Sequence, residues 1–571
     1  MGEKASAMPA LMIQETNSGA KDTAGTTLNA DDLLDELVKP CGLWQWSIVF
    51  LLTFSCSSLM TFPVYANSAS PHRCRMEPSV EYLLKERNLS FDQVASLIGP
   101  WKYTGQGDTV QSGCYRYRVK WGSLSEEELF RVDNASELEP CPLGYIHDSN
   151  PYFYPGNVVS EFETVCDRAW LVPLGTSIYM FGAAMGNLLG GWSGGRFGRK
   201  KTLILVSVIE FLSGIWTSLS PSYLSYVLAR GFMAVGMVAK SNVTGILMME
   251  LTLARYRSVF RAILSLGLAF IYRSLMALWA YWIPDWRWLN VAVTAPNMLS
   301  VLYLCLLPES PRWLFSQKRY SEGIAVLKSG YRINHLNKPK PHLGRFTQLA
   351  NEAKKLELSQ ATEESKTRGR SCQCSLIKPL YSRKLFKTTM LSIIIMLGVT
   401  MSFIGLLFYA RVVRHYVYVV GFLNALTGVP GIVLFSLLYR FFRNRKRPLA
   451  TLVSLACIIL LGTGLYTIIF KPSTDTVLIV SSNICLVLLQ ASLNMGVLYV
   501  PELFSSEIRT QGFGLIMGLS KVGGIVCSFV NALDQQVVHG CPLLIYSGVL
   551  LLVICSLAFL RDTSGENLPD N

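Results

Sequence analysis

Twenty consecutive positions, Leu391 to Ala410, carry no charged side chain. A helix of about 20 apolar residues crosses a hydrocarbon layer of roughly 30 Å. Inside lipid every backbone N–H and C=O needs a partner within the protein, so such a run becomes a helix. A first apolar block runs from about Trp44 to Tyr65. Others are centred near Tyr179, Ile209, Val235, Ala269, Leu299, Ser402, Val429, Ile459, Val487, Lys521 and Val549. Hydrophobic residues make up 51% of the 571 positions and charged ones 16%, where soluble chains carry about a quarter charged. These features predict an all-α polytopic membrane protein of twelve transmembrane helices. Six before and six after a polar segment suggest two six-helix bundles around a central path, the alternating-access plan.

Lys and Arg set the orientation, because they concentrate in cytoplasmic loops. With the N-terminus inside, the loops holding Arg196, Arg199, Lys200, Lys201, Arg255, Arg257 and Arg261 all fall inside. Residues 308–384, with 16 basic against 6 acidic side chains, fall inside too. Residues 67–168, with 10 basic against 15 acidic, fall outside. The net charge of +14 is therefore mainly a topology signal, not a nucleic-acid footprint. The expected plan is a disordered cytoplasmic tail (1–43), an uncleaved first span (44–66) and an extracellular loop (67–168). Spans two to six (169–307), a cytoplasmic linker (308–384), spans seven to twelve (385–560) and a cytoplasmic tail (561–571) follow.

The outer loop holds Cys74, Cys114, Cys141 and Cys166, an even count in an oxidising compartment, so two disulfides are expected. Three connectivities are open. The cysteine spacing fits no compact zinc site. Asn88 and Asn134 begin possible glycosylation sequons; Asn242 begins another inside a span, where no glycan is expected. Cys372 and Cys374 in the linker have no further ligands nearby and are expected to be reduced. Six scattered histidines, with no nucleophile elbow and no Walker sequence, point away from an enzyme. No cofactor or metal is expected.

Charge at membrane depth is costly and normally faces protein or water. Lys521 lies twelve residues beyond Arg509, roughly 18 Å along a helix and near mid-membrane. Lys240 and Arg273 are also deep, and either could pair with Glu210. Substrate-binding candidates are Lys521, Lys240, Arg273, Asn494, Gln490, Asn424, Phe403, Phe408 and Tyr409, with Asn297 and Asn531 as further amides on the path. Gly182, Gly186 and Gly190 recur every four residues, a packing face.

The stretch Gly191-Trp192-Ser193-Gly194-Gly195-Arg196-Phe197-Gly198-Arg199-Lys200 resembles the signature between spans two and three of major facilitator superfamily transporters. Pro308-Glu309-Ser310-Pro311-Arg312 follows span six, Glu161-Phe162-Glu163-Thr164-Val165-Cys166-Asp167 precedes span two, and Pro501-Glu502-Leu503-Phe504 follows span ten. Together they resemble the organic cation, carnitine and organic anion transporter family (solute carrier family 22). That resemblance implies a plasma-membrane carrier of small organic ions, with a counter-substrate or coupling ion as further partner. It also implies a cytoplasmic gate of Arg196, Arg199, Lys200, Glu250, Arg257, Glu502 and Arg509. Gly195 stands where the signature usually has Asp, and the second signature, Tyr439-Arg440-Phe441-Phe442-Arg443, is degenerate. Against acids typical of the cation branch, the chain has Gly428, Asn494 and Lys521. An organic anion or carnitine-like zwitterion is the expected substrate; an organic cation carrier and a non-transporting receptor are the alternatives.

Overall fold

A computed structural model describes residues 33–560 apart from 40, 58–59, 69, 102–112, 124–136, 149–153, 337–341, 365–382, 410–415, 443, 445, 473 and 505–508. Among the described residues, eleven helices are long and apolar enough to cross a membrane. Each contains one expected span centre, from Tyr179 to Val549. Asn134, Cys372 and Cys374 lie outside the described residues.

The first expected span differs. It is α1 (Leu43–Phe54) and a short α2 (Phe62–Ala66), with a break at Ser55. Local composition favours the break, because serine hydroxyls compete for backbone acceptors. The Ser55 hydroxyl donates to the Leu52 carbonyl at 3.2 Å, and the freed Ser55 carbonyl accepts from Lys240 at 2.5 Å. The expectation of a disordered tail up to residue 43 also needs correcting. Leu34–Val38 forms a π-helical turn whose Leu34, Leu37 and Val38 are buried.

The described residues of segment 67–168 fold as a small cap. β1 (His72–Cys74) pairs antiparallel with β4 (Tyr145–His147), and β2 (Tyr115–Tyr117) with β3 (Leu138–Pro140). Helices α3 (Pro78–Glu86) and α4 (Phe91–Ile98) cover them, burying Met76, Val80, Leu84, Val94 and Trp121. Ser90 and Gln93 form a reciprocal capping box that starts α4. Disulfides join Cys74 to Cys141 and Cys114 to Cys166. So small a core needs such crosslinks. Tyr154 donates to the Ile283 carbonyl at 2.6 Å, and Glu161 accepts from Trp286 Nε1 at 2.6 Å and pairs with Arg287 at 2.5 Å.

The long helices follow: α5 (Leu171–Phe197), α6 (Arg199–Ser218), α7 (Tyr223–Leu251), and α8 (Ala254–Leu266) continuing through a π-turn into α9 (Tyr272–Trp282). Next is α10 (Trp286–Thr294), started by the Asp285 carboxylate, which accepts from Arg287 N at 2.7 Å and runs on as a 3₁₀ stretch to Leu302. The linker contributes α11 (Pro311–Ser316), α12 (Tyr320–Asn334) and α13 (Leu343–Glu364). The remainder is α14 (Arg383–Tyr409), α15 (Val417–Leu426), α16 (Gly428–Phe441), α17 (Lys446–Phe470), α18 (Thr476–Glu502), α19 (Arg509–Ser520), α20 (Val522–Gln536) and α21 (Cys541–Ala558). Helix α7 packs along α5 and α6, while α14 packs along α20 and α21. Contacts between the earlier and later helices include α5 with α20 and α9 with α15.

The glycine stripe explains the α5–α7 contact. A Cβ at Gly182 would sit 2.2 Å from the Gly231 carbonyl, and one at Gly186 2.6 Å from the Val235 carbonyl. Only hydrogen fits there.

Candidate functional site

A small pocket lies where α2, α9, α14 and α15 meet. Thr61, Tyr65, Arg273, Leu407, Gly421 and Asn424 are among its lining residues. It is far smaller than a drug-sized site and has room for little more than a water molecule. Aromatic rings adjoin it: Tyr65 packs near Tyr154 (6.4 Å between centroids) and Tyr418 (6.3 Å), and Tyr418 near Tyr281 (5.7 Å).

The deep cations separate into different environments. Lys240 is 1% exposed and donates to the Ser55 carbonyl and to Asn297 Oδ1, with Glu210 Oε2 at 3.4 Å. Ser57 donates to the other Glu210 oxygen, and Asn297 Nδ2 donates to the Ser207 carbonyl at 3.0 Å. Three acceptors around the ammonium leave it no donor for a ligand in this state, so Lys240 is part of the scaffold here. Arg273 is 8% exposed, with its guanidinium 5.5 Å from the Phe403 ring centre and its Nε without an acceptor. Lys521 sits at the junction of α19 and α20, half-buried. Gly523 and Gly524 beside it let α20 approach Leu397 and Met401 on α14 and Met180 on α5.

Of the other predicted lining residues, Asn424 reaches the cavity and Phe403 touches its arginine. Gln490 packs against Gly431, and Asn494 is half-buried on α18. Phe408 is core. Tyr409 donates to Asp534 at 2.6 Å and does not line the cavity. Asn531 donates to the Gly405 carbonyl at 2.8 Å and accepts from Tyr546 at 2.6 Å, tying three helices together. Gly428 has a plain steric basis: a Cβ there would meet the Ala269 carbonyl at 2.9 Å, so a glutamate would force α16 off its neighbour.

At the opposite end of α5, Arg199 makes a two-pronged pair with Glu250 (2.6 and 2.9 Å). Glu309 caps α6, accepting from Arg199 N at 2.7 Å and Lys200 N at 3.2 Å. This carboxylate suits a helix N-terminus. Lys200 Nζ donates to the Leu304 carbonyl at 2.9 Å, and exposed Arg196 lies over Trp192. The Arg257, Glu502 and Arg509 side chains lie outside the described ones. Asn88 is exposed at a turn with φ 51°.

Sequence reasoning missed a cluster around His539. His539 Nδ1 donates to Asp534 Oδ2 at 2.7 Å and Nε2 to Asp475 Oδ1 at 3.3 Å. Burial alone would lower its pKa, but the two aspartates overcome that and push it up to about 9. The signal was faint: Asp534 and His539 are five residues apart, but Asp475 joins them from 59 positions away. His72 lies beside Cys114 and Cys166, but their sulfurs are joined, so no thiolate pair is offered to a metal.

The family described as sugar (and other) transporter matches residues 152–568. Rabbit solute carrier family 22 member 1 is 28% identical over 94% of this chain and 94% of its own length. Human organic cation/carnitine transporter 2 is 25% identical over 94% of this chain and 92% of its own. An inward-open structure of the xylose transporter XylE from E. coli superposes with a TM-score of 0.55 at 16% identity, covering 92% of this chain and 98% of that one, which places the fold.

Proposed function

The chain belongs to the sugar (and other) transporter family, and from that membership we propose that it is a plasma-membrane carrier of small organic ions. It is a distant relative of the solute carrier family 22 proteins and a secondary transporter of the alternating-access type. In our reading α1 and α2 form a broken first span, giving twelve spans in two bundles. Residues 67–168 are extracellular and glycosylated, and both tails and residues 308–384 are cytoplasmic. Arg199–Glu250 then belongs to the cytoplasmic gate, with Arg196, Lys200, Arg257, Glu502 and Arg509 as its further members.

One observation carries the reading. The walls of the central cavity come from helices on both sides of the 308–384 linker, so relative movement of the two halves opens it to one side or the other. The names of the relatives favour an organic cation or a carnitine-like zwitterion over a simple organic anion. Aromatic faces beside the cavity suit an ammonium group. Lys521, Asn494 and Gln490 form a second group of ligand candidates on the later helices.

Uptake of labelled cations, zwitterions and anions into cells with and without the protein tests this. Saturable uptake of at least one class, with trans-acceleration by the same compound, is expected. Saturable binding with no flux would instead make it a receptor on a carrier fold, a reading kept open by Gly195 and the degenerate second signature.

A further inference from the structure

The two disulfides of the cap hold different things together. Cys74–Cys141 joins its two small sheets, from the end of β1 to the residue after β3. Cys114–Cys166 joins the residue before β2 to the segment that runs into α5. It therefore crosslinks the strands to the part of the cap that Tyr154 and Glu161 hold on the helices. Each bond pairs a buried cysteine (Cys74 1%, Cys114 6% exposed) with a half-buried one, so burial does not distinguish them. An imidazole does. His72 Nε2 lies 3.3 Å from Cys166 Sγ and 3.7 Å from Cys114 Sγ. Cys141 Sγ instead faces the Cys114 and Gly113 carbonyls at 3.4 and 3.7 Å, dipoles that oppose a thiolate. Burial, with His147 beside it, pushes the His72 pKa down to about 4, so the ring is neutral. Its other hydrogen bond is to the Ser70 backbone, which leaves Nε2 to the sulfurs.

We propose that Cys114–Cys166 is an exchangeable disulfide, opened by a small thiol at Cys166 with His72 carrying the proton. The thiol sulfur attacks the half-buried Cys166 Sγ, forming a mixed disulfide there as the bond to Cys114 breaks. The bonding electrons leave on Cys114 Sγ, and the thiol's proton passes to His72 Nε2. The new thiolate offsets the burial that kept the ring neutral, so imidazolium and thiolate form as a pair. A second thiol attacks the mixed disulfide at its outer sulfur, releasing the Cys166 thiol. One protein disulfide is reduced, and two small thiols are oxidised to their own disulfide. Opening frees the strands from the segment before α5, while Cys74–Cys141 keeps the two sheets joined. The inference concerns the cap alone and stands apart from the carrier reading.

The test uses full-length protein in lipid nanodiscs with a metal chelator present, and glutathione as the probe. Freed thiols are trapped by alkylation over time and assigned by peptide mass mapping. Cys114 and Cys166 are expected to open roughly tenfold or more faster than Cys74 and Cys141, with the glutathione adduct on Cys166. His72→Gln and His72→Ala should slow that opening roughly 10- to 100-fold. His147→Gln should change it by less than about threefold, because that ring contacts Ser70 and neither sulfur. After opening, hydrogen exchange should quicken in β1 to β4 and stay at its parent level in α5 to α7. Equal opening of both bonds, no opening of either, an adduct on Cys114, or parental opening in His72→Gln overturns the proposal. So does faster exchange spreading into α5 to α7, which marks a staple of the whole fold. If neither His72 variant folds, the rates of the two bonds and the adduct position in the parent still decide.

Discussion

At the scale of single residues, Lys240, Arg273 and Lys521 look alike in sequence: one basic side chain in an apolar run. Packing separates them. Lys240→Ala would strand the Glu210 carboxylate in a fully buried site, at a cost of about 3–5 kcal/mol. Surface labelling and thermal unfolding should show little mature protein. Lys240→Met with Glu210→Gln should restore much of it, since the Ser57 hydroxyl still finds an acceptor. Normal surface level and stability in Lys240→Ala, with only ligand affinity lost, would return Lys240 to the binding site. Sequence named Glu210 as a partner for Lys240 or Arg273 but left open which of them takes it, because the chain from Glu210 to Lys240 includes a helix reversal; the fold gives it to Lys240. His539 makes a pH prediction. Its folded pKa of about 9 stands above the usual 6.5, so its contribution is complete below about pH 6.5 and fades as pH rises through about 9. His539→Ala should lower stability by on the order of 2–3 kcal/mol at pH 6, and the melting gap should shrink by pH 10. A gap of constant size across that range would show that the imidazolium charge is not what matters.

At the scale of elements, the long helices were legible and their interruptions were not. A run of apolar residues announces a span by length alone. The breaks at Ser55, Thr427 and Lys521 fall inside equally apolar sequence. They are fixed by partners elsewhere, such as Lys240 for the Ser55 carbonyl and Ala269 against Gly428. Two glycines in α5 illustrate how differently one residue type behaves. Gly186→Leu must push into the Val235 backbone and should abolish surface expression, scored by surface biotinylation. Gly195 is exposed, and its Cβ direction is open. Gly195→Asp should therefore reach the surface normally. Placing a carboxylate among Arg196, Arg199 and Lys200 should favour the outward-facing state, raising apparent affinity for external substrate while lowering maximal uptake. Unchanged kinetics would disconnect this loop from the transport cycle.

For the whole molecule, basic and acidic side chains divide between segments in a way that predicts sidedness. Epitope tags at residues 105 and 345 should be reached by impermeant antibody in intact cells at 105 alone. Antibody binding at 345 would invert the topology. The pairing of the cap cysteines was open in sequence, since count gives number but not partner; the fold joins Cys74 with Cys141 and Cys114 with Cys166. That second bond has a mechanical consequence. Cys166 stands five residues before α5, and Glu161 and Tyr154 grip the start of α10 and the turn before it. The described part of the cap is therefore tied to the earlier helices like an arm. If the halves rock about the cavity, the arm's tip sweeps a wider arc than the helices that drive it, as a needle on a dial magnifies its spindle. A fluorophore on the exposed face of α3, paired with one just before the start of α18, turns that arc into an optical readout of each transport stroke.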